Sequence, residues 1–131
     1  MAIKFDSQPT LENSLVILKP LEENHFEKLF KVSSNPEIWE QHPAKDRYEI
    51  DGFRKFFNEA IQSKSAFLIV DKKSNEVIGT SRYKLSSESE KSVEIGWTFL
   101  AKKYWGGLYN KEIKDVMMTH AFKTFDIILF F

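Results

Sequence analysis

The sequence contains no cysteine, carries no net charge and has no long apolar run, and each absence excludes a class of protein. Without cysteine among its 131 residues, it has no disulfide, thiolate nucleophile or cysteine metal site. Its 19 Lys and Arg residues balance 19 Asp and Glu residues, so nothing favours capture of nucleic acid or of an anionic membrane. No apolar run approaches membrane-spanning length, and residues 1–6 do not resemble a signal peptide. We therefore expect a cytoplasmic protein without nucleic-acid or membrane partners.

Histidine is also scarce, and the three histidines show no ligand spacing. They are His25, His42 and His120, and no His-Glu-x-x-His arrangement includes them, so we expect no metal site. His120 lies three residues after Met117 on the inward side of a predicted helix, which favours a hydrogen-bonded core histidine over a catalyst. His25 is expected on a polar helix face and His42 in a loop. A Ser/His/Asp hydrolase lacks support because no Gly-x-Ser-x-Gly elbow occurs.

What is present suffices for one packed domain over residues 1–131. Hydrophobic residues make up 42% of the sequence, and 12 residues are phenylalanine. Residues 1–13 are polar and turn-rich. Apolar runs and alternation predict strands over 14–19, 66–70, 77–85, 93–99 and 126–131, the run 66–70 being typical of a strand buried on both faces. Helical spacing predicts helices over 21–32, 48–62 and 110–125, and Pro36 a short one over 36–41. This β-α-α-β-β-β-α-β order predicts an α+β fold with a mixed, mostly antiparallel sheet and a final parallel crossover.

The strand over 93–99 and the residues after it form the most informative stretch. Alternation places Val93, Ile95, Trp97 and Phe99 on one face, with Glu94, Gly96 and Thr98 on the other. A short polar loop then leads to Gly106 and Gly107, and a helix follows. Glycines before a helix N-terminus let backbone N–H groups approach an anion closely, which is the geometry of a phosphate site. The alternative interpretation is a plain tight turn.

Val93-Glu94-Ile95-Gly96-Trp97, followed by Tyr104-Trp105-Gly106-Gly107-Leu108-Tyr109-Asn110-Lys111-Glu112, resembles the GNAT superfamily of acetyl-CoA-dependent N-acetyltransferases. The branch most similar contains the ribosomal-protein N-terminal-alanine acetyltransferases. In that superfamily a bulged strand binds the pantetheine arm of acetyl-CoA through its main chain, and the next loop and helix N-terminus bind the pyrophosphate. The resemblance thus implies pantetheine contacts by Trp97, Thr98 and Phe99. It implies pyrophosphate contacts by Trp105, Gly106, Gly107, Leu108, Tyr109, Asn110 and Lys111.

The match to the family's phosphate-binding pattern is imperfect. The usual pattern is Arg or Gln, two free positions, Gly, one free position, then Gly or Ala. Here Trp105 occupies the first position, and Leu108 and Asn110 occupy the two small positions. Because the contacts are made by the main chain, these side chains are tolerated if they point away from the phosphates. Trp105 itself is expected either to flank the cofactor or to fill a gap between helix and sheet.

The chemistry implied by the resemblance is direct transfer of an acetyl group to a primary amine, of a protein N-terminus or a small molecule. Glu94 is the candidate base that removes the amine proton. The alternative is a strand glutamate that pairs with a neighbour such as Arg82 or is simply solvated. The aromatic side chains of the first helices are expected either to line the acceptor pocket or, more ordinarily, to fill the core. They are Trp39, Phe53, Phe56 and Phe57.

The resemblance covers nearly all of this chain but not the last helix and strands of the family. A C-terminal segment as apolar as Ile127–Phe131 leaves burial unrealised and an edge open, so we expect a homo-oligomer in which a second copy covers it. Two functions therefore stay open. One is an acetyltransferase, and the other is a catalytically impaired module that binds CoA or self-associates.

Overall fold

A computed structural model describes residues 8–35, 49–85, 92–105, 107–123 and 127–130 of the protein. The predicted short helix over 36–41 and the loops over 42–46 and 86–91 lie outside the described residues. So do Trp39, His42, Gly106 and Phe125. Only the backbone of residues 127–130 is described, so the predicted cover over Ile127–Phe131 stays a prediction.

Six strands form one sheet whose spatial order is the chain order. They are β1 (Leu11–Glu12), β2 (Val16–Pro20), β3 (Ala66–Asp71), β4 (Val77–Leu85), β5 (Ser92–Leu100) and β6 (Ile127–Phe130). Neighbouring strands from β1 to β5 are antiparallel, and β6 runs parallel to β5. The prediction of a mixed, mostly antiparallel sheet that ends in a parallel pair is confirmed.

In the described ranges, three α-helices flank the sheet. They are α1 (Phe26–Ser33), α2 (Ile50–Ser63) and α3 (Leu108–Ala121). A 3₁₀ turn, Glu23–His25, precedes α1, and another, Lys102–Tyr104, precedes α3. The prediction that α3 begins at Asn110 is wrong by one half-turn, because Gly107 keeps an extended backbone and the helical hydrogen bonds begin directly after it.

The predicted element order lacked β1. The polar, turn-rich segment before residue 14 contains this two-residue strand, which pairs Leu11 with Leu18 of β2. Asn13 makes the reversal between the strands, since its side-chain oxygen accepts the N–H groups of Leu15 and Val16 at 2.9 and 3.0 Å. A strand of two residues is too short to produce an alternation pattern, so the sequence offered no periodic signal for it.

The sheet carries one hydrophobic cluster on each face. The side chains of α3 pack on one face, against residues of β2 to β5. The side chains of α1 and α2 pack on the other face, where a phenylalanine group meets β3 and β5. Every residue of β3 is buried, which confirms the prediction from its continuous apolar run.

β5 does not keep its apolar residues on one face, so that prediction is wrong for Trp97 and Phe99. Val93 and Ile95 pack in the α3 cluster, whereas Phe99 is buried in the cluster of α1 and α2 with Trp97 beside it. The cause is a β-bulge. Two residues of β5, at positions 97 and 98, lie opposite the single residue Ser81 of β4, and one extra residue reverses every later side chain.

Gly79 of β4 allows the two strands to approach closely just beyond the bulge. A Cβ atom at this position would lie 2.0 Å from the carbonyl oxygen of Phe99 and 3.1 Å from the Cα of Leu100. Real Cβ atoms do not come as close to a carbonyl oxygen as 2.0 Å. The pairing of β5 with β4 just beyond the bulge therefore depends on a glycine at position 79.

Candidate functional site

The site is organised by the bulge in β5. Trp97 has a φ of 53°, a left-handed conformation that is costly for a bulky residue and that clusters at ligand-binding positions. The Arg82 guanidinium lies 3.9 Å from the centre of the Trp97 ring and holds the indole against β4. The hydroxyl groups of Thr98 and Ser81 lie 2.7 Å apart across the bulge. Contacts on both sides therefore maintain the strained backbone.

Within the described residues, β6 pairs with the first part of β5, before the bulge. Their parallel register covers Ser92 to Ile95 of β5, matched with Ile127 to Phe130 of β6. From Gly96 onward, β4 is the only sheet neighbour of β5 within the described ranges. The side of residues 96–100 that faces away from β4 is thus the place where an extended ligand could add to the sheet as a strand.

The N-terminus of α3 follows this open edge. Gly107 occupies the N-cap with φ −116° and ψ −158°, no side chain caps the helix, and its first turn contains no acidic residue. A Cβ atom at Gly107 would meet nothing within 4 Å. The first N–H groups of α3 therefore have no capping side chain among the described residues, and they lie at the positive end of the helix dipole, where an anion is favoured.

The side chains around this N-terminus differ in burial. Leu108 is 63% exposed, and Asn110 and Lys111 are exposed as well. The predicted residues Gly107 to Lys111 thus come together in the first turn of α3, whereas Gly106 lies outside the described residues. Leu108 and Asn110 replace small residues of the family pattern without entering the core.

Two aromatic contacts fix the loop that joins β5 to α3. The indole Nε1 of Trp105 donates a hydrogen bond to the carbonyl of Leu100 at 2.8 Å, and the ring stays 43% exposed. Trp105 therefore does not fill a gap in the core, but lies at the surface beside the N-terminus of α3. The rings of Tyr104 and Tyr109 meet edge to face at 4.7 Å.

Both tyrosines donate hydrogen bonds to one carboxylate, that of Asp71 at the end of β3. The Tyr109 hydroxyl lies 2.7 Å from Oδ1 and the Tyr104 hydroxyl 3.2 Å from Oδ2. Asp71 is 3% exposed. Burial by itself raises the pKa of Asp71, but the hydrogen bonds from Tyr109, Ser74 and Tyr104 and from the backbone of Lys73 outweigh it and lower that pKa below the usual value.

Glu94 lies on the closed half of β5, between Lys84 of β4 and Leu129 of β6 in the strand register. Its neighbours Val93 and Ile95 pack toward α3, so the half-buried Glu94 side chain projects from the face that α1 and α2 cover. After the bulge, Trp97 reaches that same face. The structure thus brings Glu94 and the bulge to one side of the sheet.

A cavity of about 380 Å³ opens on this side, between the end of α2 and strands β4 and β5. It is lined by Glu59, Ser63, Ser65, Arg82, Tyr83, Lys84 and Trp97. The lining carries charged side chains of both signs, and the cavity borders the bulge through Trp97.

The remaining candidates of the sequence analysis have structural roles. Phe53, Phe56 and Phe57 are at most 4% exposed, and the Phe53 and Phe56 rings pack against Phe99, so they form core rather than a pocket wall. His120 is half-buried, and the centre of its ring lies 6.3 Å from the centre of the Tyr83 ring. Tyr83 is buried and donates to the carbonyl of Met117 at 2.6 Å.

We predicted His25 on a polar helix face, but it lies in the 3₁₀ turn before α1. Its Nδ1 accepts the backbone N–H of Glu22 at 3.0 Å, which closes a reciprocal cap. Burial lowers its pKa, against the opposing effect of the Glu22 carboxylate. Among the described residues, no cluster of His, Asp and Glu has the arrangement of a metal site, and no helix is long and apolar enough to cross a bilayer.

The sequence from residue 16 to residue 129 matches the family model of the acetyltransferase (GNAT) domain. The chain belongs to the GNAT acetyltransferase family. Its bulged strand, loop and helix N-terminus follow one another in the order that the resemblance implied. No curated protein matches the sequence.

Solved GNAT structures have the same fold. A GNAT-family protein from Chromobacterium violaceum superposes with a TM-score of 0.80 at 17% identity, over 95% of this chain and 65% of that one. A GCN5-related N-acetyltransferase from Brucella melitensis gives 0.72 at 21% identity, over 88% and 55%. Ribosomal-protein-S5-alanine acetyltransferase from Vibrio fischeri gives 0.66 at 15% identity, over 88% and 68%. At these identities the likeness concerns the fold, and the chain spans 55% to 68% of the length of these structures.

Asp71 is the residue of the site that sequence reasoning missed. Its spacing to Ser74 indicates a turn, and that is the only local signal. Its contacts with Tyr104 and Tyr109 span 33 and 38 residues. Nothing in the local pattern of the sequence indicates such a long-range contact.

Proposed function

We propose that this GNAT domain binds acetyl-CoA and transfers its acetyl group to a primary amine. The observation that carries the proposal is the continuity of three features: the bulge at Trp97, the open edge of β5 beyond it, and the uncapped N-terminus of α3. Together they offer main-chain groups to an extended amide-containing arm and then to an anion, in the order in which these parts occur in acetyl-CoA.

The main chain of Trp97, Thr98 and Phe99 is proposed to hydrogen-bond the amides of the pantetheine arm. Trp97 and Thr98 form the bulge and Phe99 follows it, and the strand register described here places β4 on one side of them. An arm bound there adds to the sheet as a short strand would. The positive φ of Trp97 sets the direction of the backbone here, and the Arg82 guanidinium stacked on the indole keeps that backbone in place.

The N–H groups after Gly107 are proposed to hold the diphosphate. The space that a Cβ atom at Gly107 would enter is empty of protein atoms, so the residues present fit a close-approaching phosphate. Lys111, exposed on the first turn of α3, adds a positive charge, and Trp105 flanks the site with a half-exposed indole.

Glu94 is proposed as the base for the acceptor amine. It shares the α1–α2 face of the sheet with Trp97, and the 380 Å³ cavity on that face is a route for an amine. A carboxylate within hydrogen-bond reach, directly or through one water, would accept the proton that the amine loses. The bound thioester supplies the activated acetyl group and a thiolate leaving group.

The acceptor class is the least constrained part of the proposal. One structural neighbour acts on an alanine of a ribosomal protein according to its name, and the partly acidic, partly basic cavity lining suits an amine with a polar substituent. We propose a peptide N-terminus as the first acceptor to test and small amines as the second.

Calorimetric titration with acetyl-CoA tests the binding part. Wild type should bind, and Gly107→Ala should weaken binding about tenfold or more, because the new methyl group enters space reserved for phosphate. Thr119→Ala, exposed on the same helix, is the matched control. Acetyl-pantetheine, which lacks the diphosphate, should bind wild type and Gly107→Ala equally. Equal acetyl-CoA affinity of both proteins would refute the phosphate assignment.

Product formation over a panel of amines tests the transfer part. Turnover by wild type and its loss in Glu94→Gln, with acetyl-CoA affinity unchanged, is the expected result. Turnover that survives in Glu94→Gln would remove Glu94 from the mechanism. Binding without turnover over the whole panel would favour the alternative of a CoA-binding module.

A further inference from the structure

The buried carboxylate of Asp71 joins two parts of the fold that are distant in sequence. On the near side it shapes the turn after β3: its Oδ2 accepts the Ser74 hydroxyl at 2.8 Å and the Ser74 N–H at 3.3 Å. On the far side it accepts the hydroxyls of Tyr109 and Tyr104. Tyr109 lies in the first turn of α3, and Tyr104 ends the 3₁₀ turn after β5.

We propose that Asp71 is a positioning residue for the acetyl-CoA diphosphate site: through Tyr104 and Tyr109, it fixes residues 104–109 and the open N-terminus of α3 against the β3–β4 turn. This inference rests on the proposed function, since it names the residue that orients the phosphate-binding amides. Asp71 itself touches no phosphate. It acts through the two tyrosines.

The geometry favours this role over that of a simple turn residue. A turn aspartate needs its local partners, here Ser74 and the backbone of Lys73. Asp71 has in addition two phenol donors, one to each oxygen, whose rings pack edge to face on each other. The tyrosines lie on either side of Gly107, so the loop is held at both ends by one carboxylate.

The hydrogen bonds are charge-assisted, and the shorter of the two, from Tyr109, measures 2.7 Å. They join neutral donors to an ionised acceptor that is 3% exposed, where solvent competes little. The bond to Asp71 also raises the pKa of Tyr109, because it stabilises the protonated phenol that donates it. Precise placement of main-chain donors matters for anion binding because a hydrogen bond weakens as its donor moves away from the acceptor or out of line with it.

A second link between the same two segments supplies a control. Lys103 and Glu76 form an ion pair at 3.2 Å, with side chains 66% and 58% exposed. Exposed pairs of this kind contribute little to stability or position. Glu76→Gln thus breaks a link between the same turn and loop without disturbing the buried carboxylate.

The test compares Tyr109→Phe, which removes the loop contact alone, with Ser74→Ala, which removes a turn contact alone. Asp71→Asn and Glu76→Gln complete the set. Amide hydrogen exchange without ligand measures how firmly residues 102–111 are held, and calorimetry measures acetyl-CoA affinity. Urea unfolding shows how far each change lowers global stability.

We expect Tyr109→Phe and Asp71→Asn to speed exchange in residues 102–111 and to weaken acetyl-CoA binding about tenfold. Ser74→Ala and Glu76→Gln should leave both quantities unchanged, even if Ser74→Ala lowers stability. Acetyl-pantetheine binding should not change in any variant. If Asp71→Asn fails to fold, Tyr109→Phe carries the comparison alone.

Failure of the positioning role and failure of the proposed function give different results. Exchange and affinity in Tyr109→Phe that match those of Ser74→Ala would overturn the positioning role, because the loop would then hold without the carboxylate. Absence of acetyl-CoA binding by wild type would instead defeat the proposed function, while the exchange comparison would still decide whether Asp71 holds the loop.

Discussion

The two halves of β5 differ in almost every physical respect. Residues 93–95 pair with strands on both sides, and Val93 and Ile95 are at most 2% exposed in the α3 cluster. Residues 96–100 have β4 as the only sheet neighbour described, and they carry a bulge and a positive φ at Trp97. The first half stabilises the sheet, and the second provides main-chain groups for binding.

The one extra residue of the bulge separates the half of β5 that stabilises the sheet from the half that provides groups for binding. The bulge moves Phe99 into the opposite cluster and leaves Trp97 beside the cavity. A regular strand with the same composition would continue the alternation and keep its edge aligned with β6. Changes to the buried residues Val93 and Ile95 of the first half should therefore affect stability, and changes in the second half or the loop after it should affect acetyl-CoA binding.

The largest expected effect is that of Gly79→Ala, which forces β4 away from the return of β5. The new Cβ would lie 2.0 Å from the Phe99 carbonyl oxygen, and only backbone movement relieves that contact. We expect a loss of about 3 kcal/mol or more in the free energy of unfolding, measured by urea titration, together with weaker acetyl-CoA binding. A loss below about 1 kcal/mol would show that the close approach of the strands is dispensable.

Ile95→Val probes the closed half alone. It removes one buried methylene from the α3 cluster, where Ile95 is 2% exposed. The expected cost is about 1 kcal/mol of unfolding free energy, with acetyl-CoA affinity unchanged. A clear change in affinity would mean that the two halves of β5 are coupled, against the division of roles.

Leu108→Gly tests the site with a change that is expected to strengthen acetyl-CoA binding. Leu108 occupies a position where the family pattern has glycine, and its side chain is 63% exposed. If it narrows the approach to the first amides of α3, its removal should strengthen acetyl-CoA binding about threefold in calorimetry. Helix propensity opposes this change, so the unfolding free energy should fall by about 1 kcal/mol. Weaker binding would indicate that Leu108 contributes a contact instead.

The smallest expected effect concerns pH. The pKa of Asp71 is lower in the folded protein than its ordinary value of 3.8, so its ionised form stabilises the folded state above that value. This contribution is lost as the pH falls through the lowered native pKa. Between about pH 5 and pH 3, wild type should lose more stability than Asp71→Asn, measured by urea unfolding at each pH. Parallel pH profiles of the two proteins would contradict this assignment.

Much of the fold follows from local patterns. The buried run Ala66 to Val70 predicted a strand covered on both faces, and helical spacing located α2 within two residues at its start and one at its end. Both signals arise because burial follows the period of the backbone. The family resemblance around Glu94 and Gly107 then indicated where the site lies.

Two features were not predictable in this way. The face of Phe99 depends on a bulge, and a bulge leaves the alternation of residue types unchanged while it reverses their directions. The Asp71 cluster depends on tertiary contact between Asp71, Tyr104 and Tyr109, which no sequence period encodes. Both features involve the site, where local rules most often fail.

The central claim is that main-chain amides of two segments bind one ligand together. Amide shifts in an NMR titration with acetyl-CoA test it most directly. The account predicts saturable shifts at residues 97–100 and 108–111 with one shared dissociation constant, while residues 92–95 stay unchanged. Shifts confined to one segment, or none at saturating acetyl-CoA, would contradict the account.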